Sequence, residues 1–273
     1  MVKKKSTKIT DDVVIRDLKN FFTNVNHPIY NYGTPSECGP NSPYHRKQIE
    51  VLFEKRYFHW VTDRNVNYLI SEGFLEEERT QVANFVYRSD IRYIKRDINR
   101  RIKLIKRYTD PVIVRAVGEY AELLSEFMFV ANNFEIVGRN TNEYKGEKWT
   151  KTNHNLDFII QKDGIAYGVE VKNTLSYMER DEFDVKLDIC EHLGVIPLWI
   201  LRYAPKPQFD EIKARNGFIL IFKSQIYPLG QKPLTDEIWK LMRLPVAIWK
   251  KFPEKVEKRF LSIHKSQIRK KTS

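Results

Sequence analysis

The sequence predicts an α/β protein: a central sheet with helices on its faces, preceded by a mainly helical domain. Three observations lead there. A hairpin-like stretch, LDFIIQKDGIAYGVEVKN (156–173), is followed by a helical segment and two apolar strand segments, VIPLWILRY (195–203) and GFILIF (217–222). A helical apolar stripe precedes the hairpin in 110–133. A break at Pro111 sets this half apart from a run of short helices and strands, which gives two domains, 1–109 and 110–273. Helix, strand, strand, helix, strand, strand is the order of a sheet covered by helices.

Bulk properties bound the function. The chain has 273 residues, 42% of them hydrophobic and 30% charged, as expected of a soluble globular protein. A net charge of +12 fits a polyanionic partner. The N-terminal MVKKKSTKITDD has no apolar core of a secretory signal, and no apolar run is long enough to span a membrane. Cys38 and Cys190 are far apart and form no metal-ligand pair, so a cytoplasmic protein is the default expectation.

Residues 10–23 carry Val13, Val14, Leu18, Phe21 and Phe22 at helical spacing, and 24–45 is a Pro-, Gly- and Asn-rich loop. A helix with Ile49, Leu52 and Phe53 follows, then one with Val66, Leu69 and Ile70 that Gly73 stops. FLEEERTQVANFVYRS (74–89) reads as two strands and a turn. This order looks like a winged-helix module, a fold used for both DNA and protein contacts. Arg64, Asn67 and Ser71 are its expected outward residues. IRYIKRDINRRIKLIKRY (91–108) reads as an amphipathic helix with Ile91, Ile94, Ile98, Ile102 and Ile105 on one side. Arg96, Arg100, Arg101 and Lys103 belong to its basic side, a candidate phosphate-contacting face.

In the second half, DPVIVRAVGEYAELLSEFMFVANN (110–133) is a largely buried helix with Glu119, Glu122 and Glu126 on one face. A carboxylate at the edge of a buried helix needs a partner or a metal. In the hairpin, Asp163-Gly164 is a strong type I′ turn signal. Counting back from it, Lys162 pairs with Ile165, Ile159 with Gly168 and Asp157 with Glu170. Tyr167, Val169 and Val171 then share an apolar face, and Gly168, Glu170 and Lys172 the other. Opposed like charges destabilise a strand pair; a hard divalent cation between Asp157 and Glu170 reverses that sign. RDEFDVKLDICEHLG (180–194) reads as a helix with Phe183, Leu187 and Cys190 inward, and 235–273 as partly helical, with Trp239, Leu241, Trp249 and Phe260 packing.

VGEYAELL, LDFII and YGVEVKN, followed by a helix and an apolar strand, resemble the PD-(D/E)XK nuclease superfamily over roughly 112–222, most closely its Holliday-junction-resolvase and restriction-endonuclease-like branches. Leu156 stands where the family name places Pro. The resemblance implies a restriction-endonuclease-like mixed sheet and a metal-dependent DNA endonuclease of repair, recombination or restriction. It implies catalytic roles for Glu122, Asp157, Glu170 and Lys172. It also implies a Mg²⁺ site, with Mn²⁺ able to substitute, from Asp157, Glu170, the Val171 carbonyl and Glu122. Glu119 remains a rival to Glu122. Lys186 is a further candidate phosphate contact, and His154 and Asn155 candidate cleft residues. A homodimer would suit paired cuts. Two other readings stay open: a DNA-binding regulator or scaffold with an inactive nuclease-like domain, and an RNA nuclease.

Overall fold

The computed structural model describes residues 11–31 and 36–272. Residue 10 of the expected first helix and 32–35 of the expected loop lie outside the described residues. The chain forms two compact units. One contains the residues up to Asp110 together with Pro233–Leu244; the other contains Pro111–Lys232 and the residues from Pro245 onward. Residues 233–244, which the sequence reading grouped with the C-terminal half, therefore belong with the first unit.

The first unit runs α1 (Asp11–Thr23), β1 (Tyr44–His45), α2 (Arg46–Phe53), α3 (His59–Ser71), β2 (Leu75–Arg79), β3 (Asn84–Arg88) and α4 (Lys95–Tyr108). Its antiparallel sheet has the order β1-β3-β2. The two-residue β1 lies in the stretch expected to be loop. Phe21, Phe22, Tyr44, Phe53, Leu69 and Val86 meet in the core, so the apolar stripes of α1, α2 and α3 point inward. The basic helix starts at Lys95, not Ile91, because Tyr93 adopts φ 61°, a left-handed conformation that an α-helix does not admit.

The second unit opens with α5 (Pro111–Ala131), β4 (Glu135–Thr141), the short pair β5 (Glu143–Tyr144) and β6 (Glu147–Lys148), and the hairpin β7 (Leu156–Lys162) and β8 (Ile165–Lys172). It continues with α6 (Arg180–His192), β9 (Ile196–Leu201), α7 (Lys206–Ala214), β10 (Phe218–Ile221) and β11 (Gln225–Tyr227). After α8 (Lys232–Met242), which lies from Pro233 onward in the first unit, come β12 (Val246–Ile248) and α9 (Glu254–Thr272). The five-stranded sheet has the order β10-β9-β8-β7-β4 and is mixed: β4, β7 and β8 are antiparallel, while β8, β9 and β10 are parallel. Parallel neighbours need a crossover; α6 and α7 supply the two.

Helices cover both faces. Tyr167, Val169 and Val171 pack with Ala121, Leu124 and Phe129 of α5 and Phe260 of α9. Ile159 and Trp199 pack with Phe183, Leu187 and Cys190 of α6 and Ile212 of α7. Gly168 sits on the α6 face, where a Cβ would lie 2.6 Å from the Cys190 sulfur and 2.8 Å from Leu156 and Val195 methyl carbons. The hairpin register is the expected one, with Lys162 opposite Ile165 and Ile159 opposite Gly168. Asp163 and Gly164 both have positive φ, 51° and 68°, as a type I′ turn requires. Among the described residues no helix is long and apolar enough to cross a membrane.

Candidate functional site

The hairpin ladder ends one pair earlier than expected. Its last pair is Phe158 opposite Val169. Asp157 does not continue it opposite Glu170; its Oδ2 accepts the Val171 backbone N–H at 2.6 Å. The carboxylate thus takes the place of a backbone acceptor and lies in the plane of the sheet at the strand end. A residue's N–H and C=O point to the same side of an extended strand, so the Val171 carbonyl also faces the end of β7.

Groups from both faces converge there. Glu170 is 1% exposed, and its Oε2 accepts a hydrogen bond from the Lys186 ammonium of α6 at 2.6 Å. Lys186 also donates to the Asn155 carbonyl. Lys172 lies 3.6 Å from Glu170 Oε1 but 2.6 Å from Glu182 of α6. Glu182 and Lys186 are one helical turn apart, so one face of α6 presents an acid and a base to the base and acid of β8. Lys186, expected as a candidate phosphate contact, is 6% exposed and points into the acid cluster.

Glu122 approaches from α5, which packs on the opposite face of the sheet. Burial raises its pKa, and the Asp157 charge adds to that, against the pull of Lys172 and Lys186. Its neighbours Glu119 and Glu126 differ: Glu119 is exposed, and Glu126 accepts a hydrogen bond from Arg139. Asn173, next to Lys172, fixes α5 to the strand end. Its amide donates to the carbonyls of Val117, at 2.8 Å, and Ile226, at 2.6 Å. His154 is exposed and contacts Thr152, while the Asn155 side chain donates to Asn140.

Burial dominates the electrostatics of the acids here. Burial raises the pKa of Asp157 against the Val171 hydrogen bond and the two lysines. Burial, then the Asp157 charge, raises Glu170. For Lys172, burial pulls downward, but Glu182 and the charge of Glu170 more than offset it, leaving the ammonium above its ordinary value. In all three acids burial is the main cause of the upward shift; neighbouring acid charge adds to it, and the lysines offset it only in part. The donors are hard oxygens, a buried and a half-buried carboxylate and a backbone carbonyl, and suit Mg²⁺, which takes one or two carboxylates and completes its shell with water and phosphate. Among the described residues no three His, Cys, Asp or Glu side chains already stand at metal-holding positions. Glu170 is engaged by Lys186 and Asp157 by Val171.

In the first unit, Arg64, Asn67 and Ser71 are all exposed on α3. Arg64 pairs with Asp11 and lies over the Trp60 ring, and Asn67 accepts a hydrogen bond from Arg46. On α4, Arg96 and Lys103 are exposed, and Arg100 is exposed but paired with Glu37 at 2.9 Å. Arg101 is not on the basic face. It is 2% exposed, on the inward side with Ile98, Leu104 and Ile105, three or four residues from each of the outer two. Neither a scan of protein-family models nor a search of curated proteins finds a match to this chain.

Proposed function

We infer that the chain is a metal-dependent DNA endonuclease of the PD-(D/E)XK type. The observation that carries this reading is the convergence of Asp157, Glu170 and Lys172 at one end of a strand pair; Glu122, on the helix before the sheet, feels the charges of Asp157 and Lys172. The order helix, three antiparallel strands, crossover helix, parallel strand supports it. So does the net charge of +12. In the first unit, α1, α2 and α3 with the β1-β3-β2 sheet support a winged-helix-like substrate module with the exposed face of α3 outward.

A bound Mg²⁺, or Mn²⁺ in its place, supplies Lewis-acid polarisation of the phosphate and a water of lowered pKa. Asp157, Glu170 and the Val171 carbonyl would hold it, with Glu122 directly or through water. Lys172 acts as a cation. In the metal-free protein its pKa lies above the ordinary lysine value, so at neutral pH the ammonium keeps its proton and can only donate hydrogen bonds. It orients the attacking water and offsets the charge gathering on the phosphate. Asp157 also keeps the strand end closed through the Val171 amide.

The second reading is a DNA-binding scaffold with an inactive nuclease-like domain. The buried Lys186–Glu170 pair favours it, because it partly neutralises the acids without a metal. A panel of duplex, single-stranded and branched DNAs with Mg²⁺, Mn²⁺ or EDTA separates the two. Metal-dependent cleavage that Asp157→Asn abolishes supports the nuclease. DNA binding with no cleavage of any substrate supports the scaffold.

A further inference from the structure

Lys186 is the nearest cation to Glu170, and its position is unusual for a surface-helix lysine. Its side chain is 8% exposed and that of Glu170 2%. Lys172 cannot replace it, being drawn to Glu182 at 2.6 Å and left 3.6 Å from Glu170. The Lys186 ammonium also holds the Asn155 carbonyl, two residues before Asp157. One cation therefore ties down both the carboxylate of β8 and the chain segment leading to the carboxylate of β7.

We propose that Lys186 is a resident counter-cation of the acid cluster, holding at Glu170 the place a divalent cation would take, so that the Lys186–Glu170 contact and metal binding exclude one another. This rests on the nuclease reading of the same site. A Mg²⁺–oxygen bond is about 2.0–2.1 Å long, and the ammonium already lies 2.6 Å from Glu170 Oε2. Both bound to one oxygen would stand only about 4 Å apart, where like charges in a poorly solvated site repel strongly. Metal entry thus moves Lys186 off Glu170 and frees the Asn155 carbonyl with it. The site is closed as a salt-bridged cluster before the cation arrives and opens as it binds.

The test is metal affinity, not cleavage. Mn²⁺ binding to the full chain is followed by the spectroscopic signal of free Mn²⁺, and Mg²⁺ binding by calorimetry. Wild type, Asp157→Asn, Lys186→Met and Lys186→Arg are compared, with melting curves as the control for folding. Lys186→Met keeps the chain length and removes the competing charge, so it should bind Mn²⁺ about tenfold more tightly than wild type. Lys186→Arg should bind more weakly, because a guanidinium can grip the carboxylate with two hydrogen bonds. Should Lys186→Met fail to fold, the weakening in Lys186→Arg alone decides. Equal affinity in wild type and both Lys186 variants, with Asp157→Asn weakened, overturns the proposal and leaves the nuclease reading standing. Absence of metal binding by wild type, or binding that Asp157→Asn does not change, overturns both.

Discussion

Asp157 accepts the Val171 amide at 2.6 Å, one residue beyond the last pair of the β7–β8 ladder. A side chain thus completes a backbone pairing and, by doing so, holds its charge at the end of the strand pair, beside Glu170. The pairing sets what a neutral replacement should do, since an asparagine oxygen can accept the same amide.

Asp157→Asn should reduce cleavage to background while DNA binding holds or tightens, one phosphate-repelling charge having gone. Its stability should also change with pH in a defined direction. The folded pKa of Asp157 is raised, so the folded protein binds the proton more tightly than the unfolded chain does. Stability from this group is complete below the ordinary aspartate value of 3.8 and declines as pH rises through the raised value. Metal-free Asp157→Asn should therefore match wild type in acid and melt higher at pH 8. A variant that melts lower throughout pH 4–8 would show that the charge itself stabilises the hairpin.

Lys172→Met should lower the cleavage rate by about 10²–10³-fold, the scale for removing one charge-stabilising donor. Mn²⁺ affinity should change little. Because Lys172 keeps its proton well above neutrality, the wild-type rate between pH 6 and 9.5 should show no limb from lysine ionisation. A rate that climbs with a midpoint near 8 and is flat in Lys172→Met would make this lysine a base.

Arg96 and Lys103 are exposed and make no ion pair among the described residues. Replacing both with Ala should reduce the slope of log affinity for duplex DNA against log salt by about 0.9 per lost phosphate contact. Arg101→Ala should leave the slope as it is and lower unfolding stability by about 2 kcal/mol, through lost buried packing. A slope that responds to Arg101 and not to the exposed pair would place the DNA-contacting side elsewhere.

At the turn end of the hairpin, His264 of α9 bonds the Tyr167 hydroxyl at 2.9 Å and Asp163 at 3.1 Å, and Lys271 donates to the Gly164 carbonyl. Tyr167→Phe removes one hydrogen bond and should cost about 1 kcal/mol. His264→Ala also leaves a cavity and an unsatisfied buried hydroxyl, and should cost about 2–4 kcal/mol in urea unfolding. Neither should change Mn²⁺ affinity, since both lie at the opposite end of β8 from Glu170.

Much of the second unit is legible because a period of two with a fixed turn leaves one register. Asp163-Gly164 set the ladder, and the ladder set both faces of β8. Strand β4 is hidden because EIVGRNT mixes polar residues with a glycine; it is an edge strand, mostly exposed, with a bulge between Ile136 and Gly138. Glu182 gives no local signal, since RDEFDVKLD carries several acids and only tertiary packing selects the one facing Lys172. The inward position of Arg101 is readable in retrospect. It falls three residues after Ile98 and four before Ile105, so helical phase, not residue type, assigns it to the core side.

Gly168 has no functional group, yet it acts as a shim between two layers. Cys190 lies one helical turn beyond Lys186, and its sulfur rests where a Cβ at 168 would intrude to 2.6 Å. Any larger residue would wedge α6 away from β8 only two positions before Glu170. The reach of the Lys186 ammonium is thus set by missing bulk elsewhere on the strand. A single added methyl at 168 is a mechanical lever on the charge pair, acting at a distance and without touching either charge.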